Sequence, residues 1–433
     1  LMLALEETSA SDVLKTAEYP EEKAGVLEEV IAAALGYLPF TTPEELAAAP
    51  ESFLSISQGD VSGIISLPTS GTTGQGKRIF CSEEDLQNTV DFFRHGMQFM
   101  VLPDRGDHVA LLMSGGRHGS VGSLFLKAMR DLGVPCAVPG FVPPSGRAED
   151  SMMQHLIDMA PTCLVGVPGQ LLLLSRHERA RELARSVHSV LLSGDSVMPV
   201  TRRAIAEGLQ AEVFVHYGLT ETGLGGAVEC REHKGCHMRE ADLIHEIVDE
   251  QGRQVEKGEW GEIVITTITR KAMPLLRYRT GDEGRILPGY CDCGYVFGRI
   301  QVRGRMSQRL ALPDGSVLRI TDLDRTLYAL PYVQSYTPVV QGTSGSQRLK
   351  LLLRVADGVG DTALYEAERA VAALPGLRLC LAGEIPDDNE SMPFALVLER
   401  PPSVVGKHMR DLRQTQAKQR FVREDEGAPG WHA

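Results

Sequence analysis

The segment Thr69-Ser-Gly-Thr-Thr-Gly-Gln-Gly-Lys77 lies between an apolar run at 64–67, which predicts a strand, and a helix predicted to begin near Ser82. Glycines let a backbone approach oxyanions closely, while hydroxyl and ammonium groups bind phosphate oxygens. The Walker pattern is excluded, because Arg78 follows Lys77 where that pattern places Ser or Thr. The segment therefore predicts a polyphosphate-binding loop of another kind, and a flexible Gly/Thr surface loop is the alternative.

The chain around this loop alternates short apolar runs with longer amphipathic runs from residue 61 to about 216. The predicted strands are 108–113, 134–138, 163–167, 189–192 and 212–216, and the predicted helices include 121–132 and 149–160. This rhythm is typical of βαβ units, so we expect a mainly parallel sheet covered by helices. Ligands bind such sheets at the carboxyl ends of the strands.

The second half of the chain has a different pattern. After residue 243, turn-punctuated segments such as 261–267 predict a smaller sheet region within the same large domain. From about residue 305, an alternation through 310–318 to 396–398 is long enough for a compact α+β domain of about 100 residues. We therefore predict a large domain at 1–304 and a small domain at 305–433.

Length and composition fit this division and exclude several classes of protein. The chain has 433 residues, whereas single hydrophobic cores usually stop growing near about 250–300 residues. A formal charge of −13 argues against a nucleic-acid partner, which is bound mainly through clustered Lys and Arg. No run approaches the about 18 apolar residues of a membrane span, and 1–7 lack the basic flank of a signal peptide. We expect a cytoplasmic protein that binds neither nucleic acid nor membrane.

Four segments resemble motifs of one known superfamily. Ser70 to Lys77 matches, without a gap, the loop Ser-Gly-Thr-Thr-Gly-x-x-Lys of the adenylate-forming enzymes, which include acyl- and aryl-CoA synthetases, luciferases and peptide-synthetase adenylation domains. His216-Tyr-Gly-Leu-Thr-Glu221 and Tyr278-Arg-Thr-Gly-Asp282 are similar to two later motifs of that superfamily. Ser193-Gly-Asp195 is a weaker match to its Gly-Gly-Glu loop. The resemblance implies an α/β fold, with a large multi-sheet N-terminal domain of βαβ units and a small mobile α+β C-terminal domain.

The resemblance also assigns roles by position. The implied nucleotide-binding residues are Ser70, Gly71, Thr72, Thr73, Gly74, Ser193, Gly194, Asp195, His216, Tyr217, Gly218, Asp282 and Arg305. The implied catalytic residues are Lys77, Thr220, Glu221 and Lys407. Tyr217 is expected to stack on adenine, and Thr220 and Glu221 to face the phosphates and Mg²⁺. Asp282 is expected to hold the ribose hydroxyls, for which a fixed pair of acceptors is chemically suitable.

Lys407 belongs to a fifth similar segment, Pro402-Ser-Val-Val-Gly-Lys-His-Met-Arg410, which resembles the terminal Pro-x3-Gly-Lys-x-x-Arg element of the superfamily. An ammonium between the attacking carboxylate and the α-phosphate would neutralise charge that develops in the transition state. An ordinary surface lysine near a tail is the alternative.

A cluster of cysteines and histidines predicts a metal site. Cys230, His233, Cys236 and His237 lie within eight residues, and Cys291-Asp-Cys293 follows later. Thiolate and imidazole ligands from two loops suit a tetrahedral structural Zn²⁺ site. The phenylacetate-CoA ligase branch has similar spacing, which favours Cys230, His237, Cys291 and Cys293, with Cys236 and His233 as substitutes. Unmetallated thiols are the alternative, and we interpret the remaining cysteines, Cys81, Cys136, Cys163 and Cys380, as packing residues.

The sequence departs from the superfamily near the predicted domain junction. Gly304-Arg-Met-Ser-Gln308 places Ser307 and Gln308 where acidic hinge residues stand in the family, and Pro313-Asp-Gly315 replaces an Arg-Gly element. The segment before residue 60 is also short for the phenylacetate-CoA ligase branch. Adenylation is therefore better supported by the sequence than thioester formation.

These patterns predict an ATP- and Mg²⁺-dependent ligase. It would convert a carboxylic acid, aromatic or another small organic acid, to acyl-AMP and transfer the acyl group to coenzyme A. Transfer to a carrier protein or an amine, and a catalytically weakened nucleotide-binding protein, are the alternatives. By family analogy, Arg117-His-Gly-Ser120 and 166–170 are expected to line the acyl pocket, and a homodimer is left open.

Overall fold

The computed structural model of the chain describes residues 35–66, 77–102, 106–113, 115, 118–143, 147–341, 348–356, 358–379, 392–398 and 410–411. The described strands are β1 (Gly63–Ser66), β2 (Arg78–Cys81), β3 (Val109–Leu112), β4 (Cys136–Ala137), β5 (Cys163–Gly166), β6 (Ser189–Leu192), β7 (Glu212–Tyr217), β8 (Ala227–Glu229), β9 (Cys236–Met238), β10 (Leu243–Val248), β11 (Gly261–Thr267), β12 (Tyr278–Leu287), β13 (Arg299–Arg305), β14 (Arg309–Ala311), β15 (Val317–Arg319), β16 (Val333–Gln341), β17 (Arg348–Val355), β18 (Leu377–Leu379), β19 (Met392–Leu398) and β20 (Arg410–Asp411).

The described α-helices are α1 (Pro43–Ala48), α2 (Glu83–Gly96), α3 (Val121–Leu132), α4 (Arg147–Met159), α5 (Pro168–Arg176), α6 (Ala180–Leu183), α7 (Pro199–Leu209), α8 (Ile320–Leu327) and α9 (Asp361–Ala372). A π-helical turn, Met97–Val101, extends α2. Short 3₁₀ turns occupy Pro50–Phe53, Gln58–Asp60 and Met306–Gln308.

The largest sheet has 11 strands in the order β10-β11-β12-β13-β9-β8-β7-β6-β5-β3-β4. Strands β3 to β7 pair in parallel, as the alternating pattern predicts, whereas β7 to β13 pair antiparallel. Every residue of β3, β5 and β6 is buried, because helices cover both faces of parallel strands. The α/β prediction is confirmed, and the β-rich segments after residue 243 continue the same sheet.

Local sequence signals explain where the helices beside this sheet begin and end. Ser82 accepts a hydrogen bond from the backbone N–H of Asp85, and the Asp85 carboxylate accepts one from Ser82. This reciprocal cap starts α2 at the predicted position. Helix α3 starts after Ser120, which caps it, and ends at Gly133, whose φ of 70° suits glycine.

A second sheet lies late in the chain. Its 5 strands run in the order β18-β19-β17-β16-β20, and α8 and α9 pack with it. One buried apolar cluster joins these elements to α5 and α7 of the earlier region. The Arg176 guanidinium at the end of α5 also donates to the carbonyl oxygens of Val333 and Tyr328. The late sheet is therefore packed on the helical face of the large sheet, while the division at 304/305 stays a prediction.

Among the described residues, no helix combines the length and apolar composition that a membrane crossing requires.

Candidate active site and metal-binding cluster

A cavity of about 900 Å³ lies at the carboxyl ends of the parallel strands. Met113, Val167 and Ser193 directly follow β3, β5 and β6, and His216 and Tyr217 end β7. All of them line the cavity, because parallel strands present their carboxyl ends at one edge of a sheet.

The cavity collects most of the residues to which the sequence assigned a nucleotide or catalytic role. The described members that line it are Lys77, Ser193, Gly194, Asp195, His216, Tyr217, Gly218, Thr220, Glu221, Asp282 and Arg305. Ser70, Gly71, Thr72, Thr73, Gly74 and Lys407 lie outside the described residues. The fold thus brings the described candidates to one place, and their individual roles stay predictions.

A buried ion pair forms one side of the cavity. Lys77 Nζ lies 2.7 Å from Glu221 Oε1, and the Tyr278 hydroxyl donates to the same oxygen at 2.6 Å. Lys77 Nζ also donates to the Tyr278 oxygen at 2.7 Å. Burial alone would raise the pKa of Glu221, but the Lys77 charge and these hydrogen bonds hold that pKa below its ordinary value. Glu221 is therefore an ionised carboxylate whose counter-charge is Lys77.

A second buried carboxylate, Asp282, faces the same cavity from β12. The Tyr217 hydroxyl donates to its Oδ2 at 3.0 Å, and Arg305 Nε lies 3.4 Å from its Oδ1. Asp282 and Arg305 are direct partners in the pairing of β12 with β13. Burial raises the pKa of Asp282, and the Arg305 charge opposes that effect. Both carboxylate oxygens are held in place at the cavity wall.

The turn after β7 depends on a glycine. A Cβ atom at Gly218 would lie 2.4 Å from the carbonyl oxygen of Leu224, which is shorter than any real carbon contact. Glycine is required because the backbone at Gly218 passes this close to the backbone at Leu224. The turn places Thr220 and Glu221 beside the end of β7.

The apolar end of the cavity was not predicted from the sequence. Phe92, Phe93 and Met97, from α2 and the turn that extends it, line it together with Phe125 of α3. An apolar stripe on a helix ordinarily predicts a buried core, so these residues carried no separate signal. Of the segments expected near the acyl group, 166–170 contributes Val167, whereas the described lining includes none of 118–120, and Arg117 lies outside the described residues.

His216 joins the two ends of the cavity. Its Nδ1 lies 2.9 Å from Ser193 Oγ, and its ring packs against Phe92 and Phe93 with centroids 5.8 and 6.2 Å away. Burial lowers the pKa of His216 to about 4, so the imidazole is neutral near pH 7. The sequence placed His216 among the nucleotide-binding residues, and the structure places its ring against the aromatic wall.

The predicted metal ligands form a cluster on the antiparallel side of the sheet. The ligand atoms of Cys230, His237, Cys291 and Cys293 all lie within 4.8 Å of one another. Cys230 Sγ is 3.6 Å from Cys291 Sγ, and Cys293 Sγ is 3.2 Å from His237 Nε2. Ligands of a tetrahedral Zn²⁺ ion stand about 3.5–3.8 Å apart, given Zn–S and Zn–N bonds of about 2.3 and 2.0 Å. The donor set and its spacing therefore fit Zn²⁺.

The neighbours of this cluster orient one ligand. His237 Nδ1 lies 2.9 Å from the carbonyl oxygen of Phe297, so it donates there and leaves Nε2 facing Cys293. The two substitutes are engaged elsewhere. His233 Nε2 lies 3.0 Å from Glu212, and Cys236 Sγ lies 3.6 Å from the carbonyl oxygen of Val215.

Comparisons with known proteins find similar sequences and similar folds. Residues 62–269 match the family model described as AMP-binding enzyme. A phenylacetate-coenzyme A ligase of Thermus thermophilus is 30% identical over 220 residues, which is 48% of this chain and 49% of the relative. One of Pseudomonas putida is 28% identical over 267 residues, which is 59% of this chain and 58% of the relative. The chain thus spans about half the length of the curated relatives it matches.

Solved structures share the fold. A 2-hydroxyisobutyryl-CoA ligase with 2-HIB-AMP has a TM-score of 0.70 and 18% identity, and the likeness covers 88% of this chain and 82% of the other. The anthranilate CoA ligase AuaEII with anthranoyl-AMP has a TM-score of 0.55 and 14% identity, over 83% and 67% of the two chains. At these identities the likeness shows the fold alone.

The Lys77–Glu221 pair generates a stability prediction. Lys77→Met should lower the free energy of unfolding by about 3 kcal/mol, because it leaves a buried carboxylate without its counter-charge. The double variant Lys77→Met/Glu221→Gln should recover most of that loss. Urea denaturation of the single and double variants at pH 7 measures both effects. Strictly additive losses would contradict the coupling inferred from the 2.7 Å contact.

Proposed function

We propose that the protein activates a carboxylic acid with ATP and passes the acyl group to coenzyme A, since residues 62–269 match the family model described as AMP-binding enzyme. A carboxylate oxygen attacks the α-phosphorus of ATP, the bond to the pyrophosphate oxygen breaks, and acyl-AMP and pyrophosphate result. The coenzyme A thiolate then attacks the acyl carbon, and AMP leaves with the electron pair of the broken C–O bond. The observation that carries the proposal is one cavity with a charged end and an aromatic end.

The charged end supplies the groups that ATP requires. Asp282 offers two fixed acceptor oxygens for the ribose hydroxyls, and Tyr217, bonded to Asp282, offers an aromatic face for adenine. Arg305 adds a permanent positive charge beside them. Lys77 is the cation of the loop that the sequence predicts to bind phosphates, so ATP would compete with Glu221 for it.

Magnesium belongs to the same end of the cavity. Glu221 is ionised and Thr220 adjoins it, and Mg²⁺ prefers oxygen ligands of this kind together with substrate phosphates. When bound, the ion would neutralise phosphate charge as the α-phosphorus is attacked. Glu221 would then exchange its contact with Lys77 for the cation, freeing Lys77 for a phosphate oxygen.

The aromatic end supplies the acyl pocket. Phe92, Phe93 and Phe125 give it an apolar wall suited to an aromatic or other small organic acid. This wall excludes water from the acyl group, which protects the mixed anhydride from hydrolysis.

A structural Zn²⁺ ion is part of the proposal. Cys230, His237, Cys291 and Cys293 would hold it and leave no ligand position open. The ion would tie the loop after β8 to the turn before β13, and β13 carries Arg305. Zinc thus supports the position of a nucleotide-binding residue without taking part in the chemistry.

The remaining elements of the proposal concern movement and the acyl acceptor. The division into 1–304 and 305–433 would let the small region present Lys407 to the α-phosphate for adenylation and withdraw it for transfer. The turn Met306–Gln308, directly after β13, is the pivot in this scheme. Its Gln308 is buried where the family has an acid, and this departure makes the acceptor the first point to test.

Acid-dependent exchange of labelled pyrophosphate into ATP tests the first half-reaction. Lys407→Ala should reduce the exchange rate by about 10²-fold while leaving ATP affinity nearly unchanged, because the ammonium acts mainly in the transition state. The same variant, given preformed acyl-AMP, should still form acyl-CoA. Equal loss in both half-reactions would indicate a folding defect, and undiminished exchange would remove Lys407 from the mechanism. Exchange without acyl-CoA formation, when coenzyme A is supplied, would favour an amine or carrier-protein acceptor.

The metal cluster generates a separate prediction. Protein washed with a weak chelator should retain about one zinc atom per chain, because four converging ligands bind tightly. Cys291→Ser should lower both the zinc content and the thermal unfolding midpoint, and it should lower stability more than it alters ATP affinity. Cys136→Ser is the matched control, since Cys136 lies in β4 outside the cluster, and it should keep its zinc. Metal-free wild-type protein with freely titratable thiols would contradict the site.

A further inference from the structure

The apolar end of the cavity contains one polar group whose bonding is incomplete. Among the described residues, no partner is found for His216 Nε2, although the atom is buried. The other ring nitrogen is bonded to Ser193 Oγ at 2.9 Å, which fixes the plane of the imidazole. A buried nitrogen without a partner destabilises a folded protein, so such an atom beside a ligand cavity points to a partner supplied by the ligand.

The surroundings of this nitrogen are otherwise apolar. The imidazole packs against Phe92 and Phe93, and across the β7–β8 pairing its neighbour is Val228. All three residues line the same cavity as His216. Among the described residues, this wall offers Nε2 no conventional hydrogen bond, which leaves the occupant of the cavity as its candidate partner.

From this arrangement we propose that the protein's acid substrate carries a hydroxyl group, and that His216 Nε2 recognises it. This inference rests on the proposed function, since it concerns the acyl end of the same cavity. The hydroxyl would insert against the edge of the imidazole, and Phe92, which is only half-buried, is the neighbour that must yield to admit it. His216 is thereby a specificity-determining residue that is placed by Ser193.

The chemistry of the wall selects a hydroxyl over charged substituents. The imidazole is neutral near pH 7, so it gives no counter-charge to a second carboxylate. An ammonium substituent would lose its hydration among Phe92 and Phe93 without gaining an anion. A hydroxyl is neutral and both donates and accepts, so it pairs with Nε2 whichever nitrogen carries the imidazole proton.

This hydrogen bond should discriminate strongly against acids that lack the hydroxyl. A site built to hydrogen-bond a hydroxyl rejects the analogue that lacks it, because the buried polar group is left unpaired. An apolar pocket of the same shape would prefer the acid without the hydroxyl, because a hydroxyl there would lose its hydrogen bonds to water. Replacing His216 with leucine should therefore reverse or abolish the preference rather than reduce activity uniformly.

The experiment compares matched acids on matched variants. The probes are benzoate, phenylacetate and 2-methylpropanoate, each beside its monohydroxy derivatives, with kcat/KM taken from acid-dependent pyrophosphate exchange. In wild type, at least one hydroxylated acid should exceed its parent by about tenfold or more. His216→Leu should bring that ratio to about one or below, and His216→Gln, which keeps a hydrogen-bonding group, should restore part of it.

A matched histidine serves as the control. His245 on β10 is equally buried and neither of its ring nitrogens has a partner among the described residues, but it does not line the cavity. His245→Leu should leave the hydroxyl preference at its wild-type value. A fall in the ratio in both variants would mean that loss of a buried histidine perturbs the fold, and would overturn the assignment to His216.

A binding assay decides the question without turnover. Acyl sulfamoyl adenosines carrying the same acyl groups imitate acyl-AMP, and calorimetry gives their affinities for wild type and His216→Leu. Tighter binding of a hydroxylated analogue by wild type alone supports the inference. Equal affinities for hydroxylated and parent analogues, or a preference that survives His216→Leu, overturn it. Failure of every acid to support exchange contradicts the proposed function instead, whichever way the binding assay turns out.

Discussion

The contact among Lys77, Glu221 and Tyr278 is the constraint on which the rest of the site depends. These residues come from the end of the predicted phosphate loop, the turn after β7 and the start of β12. A buried carboxylate is stable only when a counter-charge and hydrogen bonds reach it, so the three segments cannot separate without exposing or stranding Glu221. The contact thereby ties the turn after β7 to the start of β12 and to Lys77. The cavity opens beside this contact, at the carboxyl ends of the parallel strands.

This arrangement explains why one cavity has a charged end and an aromatic end. The turn after β7 and the β12–β13 pair bring Glu221, Asp282 and Arg305 to one end, while α2 and α3 bring phenylalanine rings to the other. His216 and Tyr217 are adjacent on β7, and one contacts the aromatic wall while the other bonds to Asp282. Successive side chains of a strand point to opposite faces, which places these two groups on either side of the strand. A reacting carboxylate at the end of β7 would have its acyl group in the apolar end and its oxygens toward the nucleotide.

The sequence predicted those parts of the molecule that are set by local pattern or by motif. Helix Val121–Leu132 and strands Ser189–Leu192 and Gly261–Thr267 were predicted with their observed bounds, because apolar periodicity and flanking glycines determine them. The four metal-cluster residues were selected by their resemblance to a motif of the phenylacetate-CoA ligase branch, and the fold brings those four together. The aromatic wall was not predictable, because Phe92 and Phe93 resemble core residues until the packing of α2 is known. The orientation of His216 was not predictable either, because it depends on which strand lies beside β7 and contributes Ser193.

Isotope transfer tests most directly whether an oxygen of the acid becomes bonded to the α-phosphorus of ATP. An accepted acid labelled with oxygen-18 in both carboxylate positions is turned over with ATP and coenzyme A, and the products are resolved by mass spectrometry. Acyl-AMP chemistry predicts one labelled oxygen in AMP, one retained in the thioester carbonyl and none in pyrophosphate. Label in inorganic phosphate, with ADP as the nucleotide product, would contradict acyl-AMP chemistry. AMP that carries no label after all of the acid has been consumed would contradict it as well.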